Sequence, residues 1–258
     1  MSLSQRIGNL ILTATYPFLY FGEWTKDKVI YNIDGCIFKL RVWTSDKTVV
    51  WEVFKNKIYT DDENFKINSS DIILDIGGNI GAFSVFAARN AKKVYVYEAL
   101  KENYDLLNEN LKLNKLNNVK SFNLAVSDKV GKEEFFIEKG NIGGSSFYKK
   151  SYSIRKVKVF TTTLKKIFFD NHLKKINFLK MDVEGAEYKI LLNASPALLK
   201  KIDKIVLEFH DNLSYGHNYN DLKELLENNG FDVCVSIIPF LGKIFKTGII
   251  KAKSKFIN

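Results

Sequence analysis

Little in this chain can cross-link it or break it up. It has two cysteines, three histidines and three prolines in 258 residues. Cys36 and Cys234 stand far apart with no C-x-x-C or metal-like spacing, which excludes a disulfide scaffold and a cysteine-built zinc site. Each lies among apolar residues, so two reduced, buried thiols in a cytoplasmic protein are expected. Internal repeats, low-complexity tracts and Pro/Gly linkers are missing as well.

Residues 7–22 hold no charge, yet Gly8, Asn9, Thr13, Thr15 and Pro17 dilute them. A spanning helix needs about 20 apolar residues. The alternatives are a signal peptide, with "TAT" at 13–15 as a weak cleavage site, and a packed or membrane-surface helix. The second is expected, with peripheral membrane contact through 7–22, because only Arg6 precedes the run and nothing downstream looks secreted.

What is present suits a globular enzyme. The chain is 46% hydrophobic and 26% charged, ample for one large core and an arm. The net charge of +10 invites a nucleic-acid partner, but the lysines are scattered rather than blocked. No specific nucleic acid is therefore expected.

Residues 1–70 read as an N-terminal arm: a short helix, then "VIYNI", "CIFKLRVW" and "VVWEVF" as hairpin strands. From Asp71 to the end, apolar runs alternate with amphipathic helices. The strands are "DIILDI", "KVYVYE", "VKSFNLAV", "KINFLKMD", "KIVLEF", "GFDVCVSI" and "KIFKTGIIKAK". That alternation predicts a parallel sheet with helices on both faces, whose ligands bind at the carboxyl ends of the strands.

The first strand runs into Asp75, Gly77, Gly78, Asn79 and Gly81. The spacing is not the G-x-G-x-x-G of a dinucleotide fold, and a carboxylate beside the turn would repel a pyrophosphate. Such a turn suits a cationic or hydroxyl-rich ligand; a ligand-free helix entry is the bland alternative. Glu98 ends the second strand 23 residues after Asp75, the spacing of an acid that accepts hydrogen bonds from ribose hydroxyls. After the third strand, Ala125 to Asp128 could border an adenine or form a plain surface turn.

The fourth strand ends "FLKMDVEGAEYKILL". Lys180 sits in an apolar strand and demands a carboxylate partner. Asp182, Glu184 and Glu187 put three acids within six residues, more than helix capping alone explains. The fifth strand ends "VLEFHDN", placing Glu208 and His210 on one face.

Together "ILDIGGNIGAFS", "VYEALKENYDLLNENLKLN", "FNLAVSDKVG" and "LKMDVEGAEYKILLNA" resemble the FkbM-type S-adenosylmethionine-dependent methyltransferases. The resemblance runs from about Asp71 to Asp211 and extends to "RVWTSDKTVVWEVFKNKIYTD" at 41–61, which is similar to the family's pre-motif segment; "DVEGAE" is its most specific element. Ala99 departs from the family, which commonly has proline there. The resemblance implies a Rossmann-like class I methyltransferase with a seven-stranded, mostly parallel sheet. It further implies S-adenosyl-L-methionine as cofactor, its ribose on Glu98 and its amino-acid end over the turn from Asp75 to Gly81. The expected reaction is O-methylation of a sugar, glycan or secondary metabolite.

A hydroxyl acceptor needs its proton removed, so a base is expected at the fourth and fifth strand ends. Asp182 and Glu184 come first, His210 with Glu208 second, and Lys180 belongs to the same catalytic group. A divalent metal on Asp182, Asp211 and Asn212 is the competing reading; no metal is expected. Residues 139–156, rich in glycine and serine, are read as a cover over the acceptor. Ribose 2′-O-methylation of RNA and a non-catalytic cofactor-binding module are the alternatives in function.

Overall fold

A computed structural model describes residues 28–138, 145–149, 153–213, 216–237 and 246–256. Segment 7–22 lies outside the described residues.

The chain opens with an antiparallel hairpin, β1 (Lys28–Ile33) and β2 (Cys36–Arg41). "VVWEVF" was expected to extend it as a strand. Instead α1 (Asp46–Trp51) runs into a π-helical turn, Glu52–Asn56. The cause is legible: Val50, Val53 and Phe54 are buried along one helical face, a spacing that alternation would have split.

The central sheet then forms. Its strands are β3 (Ile72–Ile76), β4 (Lys93–Tyr97) and β5 (Val119–Phe122), with α2 (Ala82–Ala88) and α3 (Lys101–Leu113) between them. "VKSFNLAV" does not continue as one strand. The Asn123 side chain donates to the carbonyls of Glu98 and Ala99, at 2.9 and 3.0 Å, and β6 (Ala125–Ser127) joins a separate three-stranded sheet. Its partners are β7 (Gly131–Glu138) and β8 (Ser153–Thr163). After α4 (Leu164–Asp170) come β9 (Ile176–Met181), α5 (Glu187–Leu192) and α6 (Pro196–Leu199). The chain closes with β10 (Ile202–His210), α7 (Tyr219–Asn228), β11 (Phe231–Ile237) and β12 (Thr247–Ser254).

Seven strands lie in the order β11-β12-β10-β9-β3-β4-β5. Neighbours from β10 to β5 pair parallel, while β12 runs antiparallel to both β10 and β11. One reversed strand set inside the parallel order is the class I methyltransferase arrangement, so the fold expected from the sequence is the fold found.

Each face of the sheet has its own core. On one, Leu74, Ile76, Leu179, Met181, Ile205 and Leu207 meet Ile190, Leu191 and Leu222. On the other, Ile73, Val94, Val96, Phe178 and Val206 pack under α2, α3 and residues 33–65, including Phe38, Phe54 and Tyr59. Much of the expected arm thus shares a core with the sheet. One cysteine differs from expectation: Cys36 is buried, but Cys234 is exposed because β11 is the sheet's edge. Among the described residues no helix is long and apolar enough to cross a membrane.

Candidate active site

β3 and β9 are hydrogen-bonded neighbours at the centre of the sheet, and everything distinctive about the site begins where they end. Gly77 adopts φ +82°, and a Cβ there would lie 1.8 Å from the Asp182 carbonyl oxygen. Only glycine lets the two strand ends approach so closely. Gly78 and Gly81 serve packing against β4 and α3 instead: a Cβ on Gly78 would meet Val96 at 2.3 Å and Leu107 at 2.9 Å, and one on Gly81 would meet Leu107 at 3.1 Å. Neither lines the cleft.

Asp75 and Lys180 hold this turn from beneath. The Lys180 ammonium, 4% exposed as a residue, donates to the Gly77 carbonyl at 2.7 Å and pairs with Asp75 at 3.3 Å. The carboxylate partner demanded by its apolar strand is therefore Asp75. Burial pulls its pKa down, but Asp75 and Asp182 outweigh that and raise it. Asp75 also accepts from the Ser84 hydroxyl at 2.6 Å and is wholly buried. It therefore shapes the turn and does not line the cleft; expected among the cofactor-binding residues, it supports them from beneath.

The cleft is lined by Gly77, Asn79, Tyr97, Glu98, Leu100, Ala125, Phe147, Asp182 and Glu184, among others. Glu98 accepts from the backbone N–H of Asn79 at 2.7 Å and of Leu100 at 2.9 Å, with the Asn103 amide at 3.5 Å. Burial nevertheless pushes its carboxyl up to about 7. Asn103 is itself held by Arg41 at 2.9 Å, and Arg41 grips buried Asp46 through two nitrogens. A polar chain thus runs from the hairpin to Glu98. Asn79 sits at φ +48°, and its buried Oδ1 has no protein partner. An acidic acceptor, an orphaned amide oxygen and a backbone cradle fit a nucleoside that brings hydroxyls and an ammonium but no phosphate.

Beside the cleft the acids gather. Glu184 and Gly185 form a left-handed turn, φ +51° and +99°, that delays α5 to Glu187. Glu187, fully buried, accepts the N–H groups of Val183 at 3.1 Å and Gly185 at 2.8 Å, and faces His210 Nδ1 at 3.0 Å. His210 Nε2 lies 3.7 Å from Glu184 and 3.8 Å from Glu208. Burial disfavours the imidazolium, yet Glu184 and Glu187 more than compensate and hold its pKa well above the usual value. Burial and the Asp182 charge drive Glu208 well above the carboxylate range, against the pull of His210. Burial also raises Asp182, opposed by Lys180 and His210.

Tyr59 was missed by the sequence reading. Its hydroxyl donates to Asp182 Oδ2 at 3.4 Å, from the 41–61 segment whose resemblance to the family gave no residue a role. Only the tertiary fold brings it there. Asp211, read with Asp182 as a metal ligand, turns away and accepts the Tyr188 hydroxyl. The group that gathers around Asp182 is Glu184 and His210; the Asn212 side chain lies outside the described residues. Of the expected cover, Ser145 and Phe147 form part of the cleft wall and 153–156 belong to β8; residues 139–144 and 150–152 lie outside the described residues.

The model of the FkbM methyltransferase domain matches residues 75–233. The chain belongs to that family. It is an S-adenosylmethionine-dependent methyltransferase. Among curated relatives of this family member, Methyltransferase sdnD of Sordaria araneosa is 27% identical over 214 residues, covering 70% of this chain and 80% of the relative. Methyltransferase 1 of Beauveria bassiana is 25% identical over 205 residues, with coverages of 71% and 80%. AMB antimetabolite synthetase AmbE of Pseudomonas aeruginosa is 26% identical over 227 residues, 72% of this chain, and the match spans 11% of that protein's length. M. jannaschii TYW2, solved with AdoMet, is a structural neighbour at 19% identity and TM-score 0.47, covering 91% of this chain and 89% of that one.

Proposed function

We propose that this methyltransferase acts on a hydroxyl oxygen of a sugar, glycan or secondary metabolite. One observation carries the reading: Asp182, Glu184, Glu208 and His210 converge at two adjacent strand ends, and Asp182 and Glu184 also line the cofactor cleft. A nitrogen acceptor with its own lone pair would not need a carboxylate placed to take a proton, whereas a hydroxyl must lose its proton as its oxygen is alkylated.

S-adenosylmethionine supplies an electrophilic methyl group on sulfonium. The protein has to hold the acceptor oxygen in line with it and receive a proton. Glu98 and the Gly77–Asn79 turn bind the nucleoside end. At the acceptor end the residues divide in role. His210, raised well above its usual value by the acids around it, and Glu208, raised by burial and the Asp182 charge, hold their protons tightly and are the poorer bases. Asp182 or Glu184 therefore receives the hydroxyl proton, with Tyr59 holding one Asp182 oxygen. Lys180 braces the turn that aligns both ends.

The test is transfer of labelled methyl from S-adenosylmethionine to a panel of sugars, glycans and hydroxylated metabolites, alongside amines and RNA. Label confined to ether-linked methyl groups supports the reading. Label on nitrogen, or on RNA alone, rejects it.

A further inference from the structure

Asp182, Glu184 and His210 do more than crowd one another. One ligand atom from each lies within 4.8 Å of the other two. The imidazole is 6% exposed, and its two nitrogens have different tasks. Nδ1 is 3.0 Å from Glu187, whose carboxylate is itself fixed by two backbone N–H groups. That acceptor keeps the proton on Nδ1 and fixes the ring. Nε2 points to the acids from 3.7 and 3.8 Å, beyond hydrogen-bond reach. Two donors each about 2.1 Å from one cation stand roughly 3.0 Å apart at a right angle and about 4.2 Å apart when opposite. The 3.7 Å between His210 Nε2 and Glu184 falls between those limits. A buried histidine oriented through its other nitrogen by a carboxylate is also how metal-ligating histidines are held.

Charge agrees with geometry. The carboxylates of Asp182, Glu184, Glu187 and Glu208 converge on His210, while Lys180 is engaged by Asp75 and the Gly77 carbonyl.

We infer that Asp182, Glu184 and His210 bind one divalent first-row transition cation, with Glu187 as the residue that orients the imidazole. This departs from the metal-free chemistry expected from the sequence. One imidazole with two carboxylates suits Mn²⁺ or Zn²⁺, whereas Mg²⁺ and Ca²⁺ prefer oxygen throughout. With the ion bound, Asp182 and Glu184 would be ligands and the ion would lower the pKa of an acceptor hydroxyl in place of a free carboxylate base, a role that rests on the hydroxyl reading, as the site itself does not.

The experiment is titration of Mn²⁺ into the metal-stripped full chain, followed by electron paramagnetic resonance and calorimetry, with Zn²⁺ as competitor and no acceptor present. One ion per chain is expected, with spin-echo modulation from a directly bound nitrogen in the unsubstituted protein. Glu187→Gln should weaken Mn²⁺ binding about 10–100-fold, Glu184→Gln and His210→Ala at least as much, and exposed Glu63→Gln not at all. Binding of S-adenosylhomocysteine to each variant verifies its fold. Free Mn²⁺ throughout with no Zn²⁺ uptake, or a bound ion without nitrogen modulation, overturns the site and leaves an ion-paired imidazolium only. Such a failure would not touch the hydroxyl reading, which is scored on labelled product; a silent acceptor panel would not touch the titration.

Discussion

One buried carboxylate and a cluster of mostly half-buried ones stand a short distance apart at the strand ends, and they solve opposite problems. Glu98 is a single carboxylate ringed by N–H donors, and burial alone lifts it to about 7. Asp182, Glu184, Glu187 and Glu208 crowd together: Glu184 and Glu187 raise the His210 pKa well above its usual value, and burial with the Asp182 charge raises that of Glu208. The first arrangement makes an acceptor that waits for hydroxyl donors. The second makes a group that exchanges protons, because moving one proton changes every neighbour's energy. Isolation builds a binding site; crowding builds a reactive one.

The comparison can be broken most severely where the two sets meet. Gly77→Ala would drive a Cβ into the Asp182 carbonyl and force an unfavourable positive φ. Loss of both cofactor binding and the cooperative thermal transition is expected, measured by calorimetry and circular dichroism. An alanine variant that bound S-adenosylhomocysteine normally would show that the close approach is not required.

Next in size is Asp182→Asn. Turnover should fall by about 10²–10⁴, the usual worth of a positioned proton acceptor, with S-adenosylhomocysteine affinity nearly unchanged. An equal loss in both quantities would merge the two sets into one binding surface.

Glu98→Ala should reverse that pattern, weakening cofactor affinity by about 1.5–3 kcal/mol, the worth of hydrogen bonds to a charged group. Unaltered affinity, or equally tight binding of NAD, would remove Glu98 from the ribose.

The smallest effect sharpens the contrast by pH. Ribose hydroxyls donate to ionised Glu98, so affinity should be full above about pH 7 and fall by up to tenfold per unit below it. Glu98→Gln should flatten this profile. The folded state binds this proton more tightly than the unfolded chain, so the Glu98 contribution to stability decreases as pH rises from about 4.5 to about 7. A binding profile that rises toward acid pH would contradict the assignment.

The sequence by itself determined the sheet and its chemistry-bearing ends. Seven apolar runs separated by helical text could bury themselves only as a covered parallel sheet, and the strand-end rule then pointed to Asp75, Glu98, Asp182 and His210. Local pattern sufficed there because each strand's burial is written in its own residues. It failed at 49–54, where apolar spacing suited helix and strand alike, and at 119–126, where the Asn123 amide closes one sheet before another begins.

Tertiary structure alone decided the division of labour. That Asp75 belongs to Lys180 and Ser84, that Glu187 orients His210, and that Tyr59 reaches Asp182 all depend on contacts between residues far apart in the chain. A carboxylate's role is set by what it faces and how little water reaches it. Neither quantity is a property of the residue or its neighbours in sequence; both arise only when the strand ends are brought together.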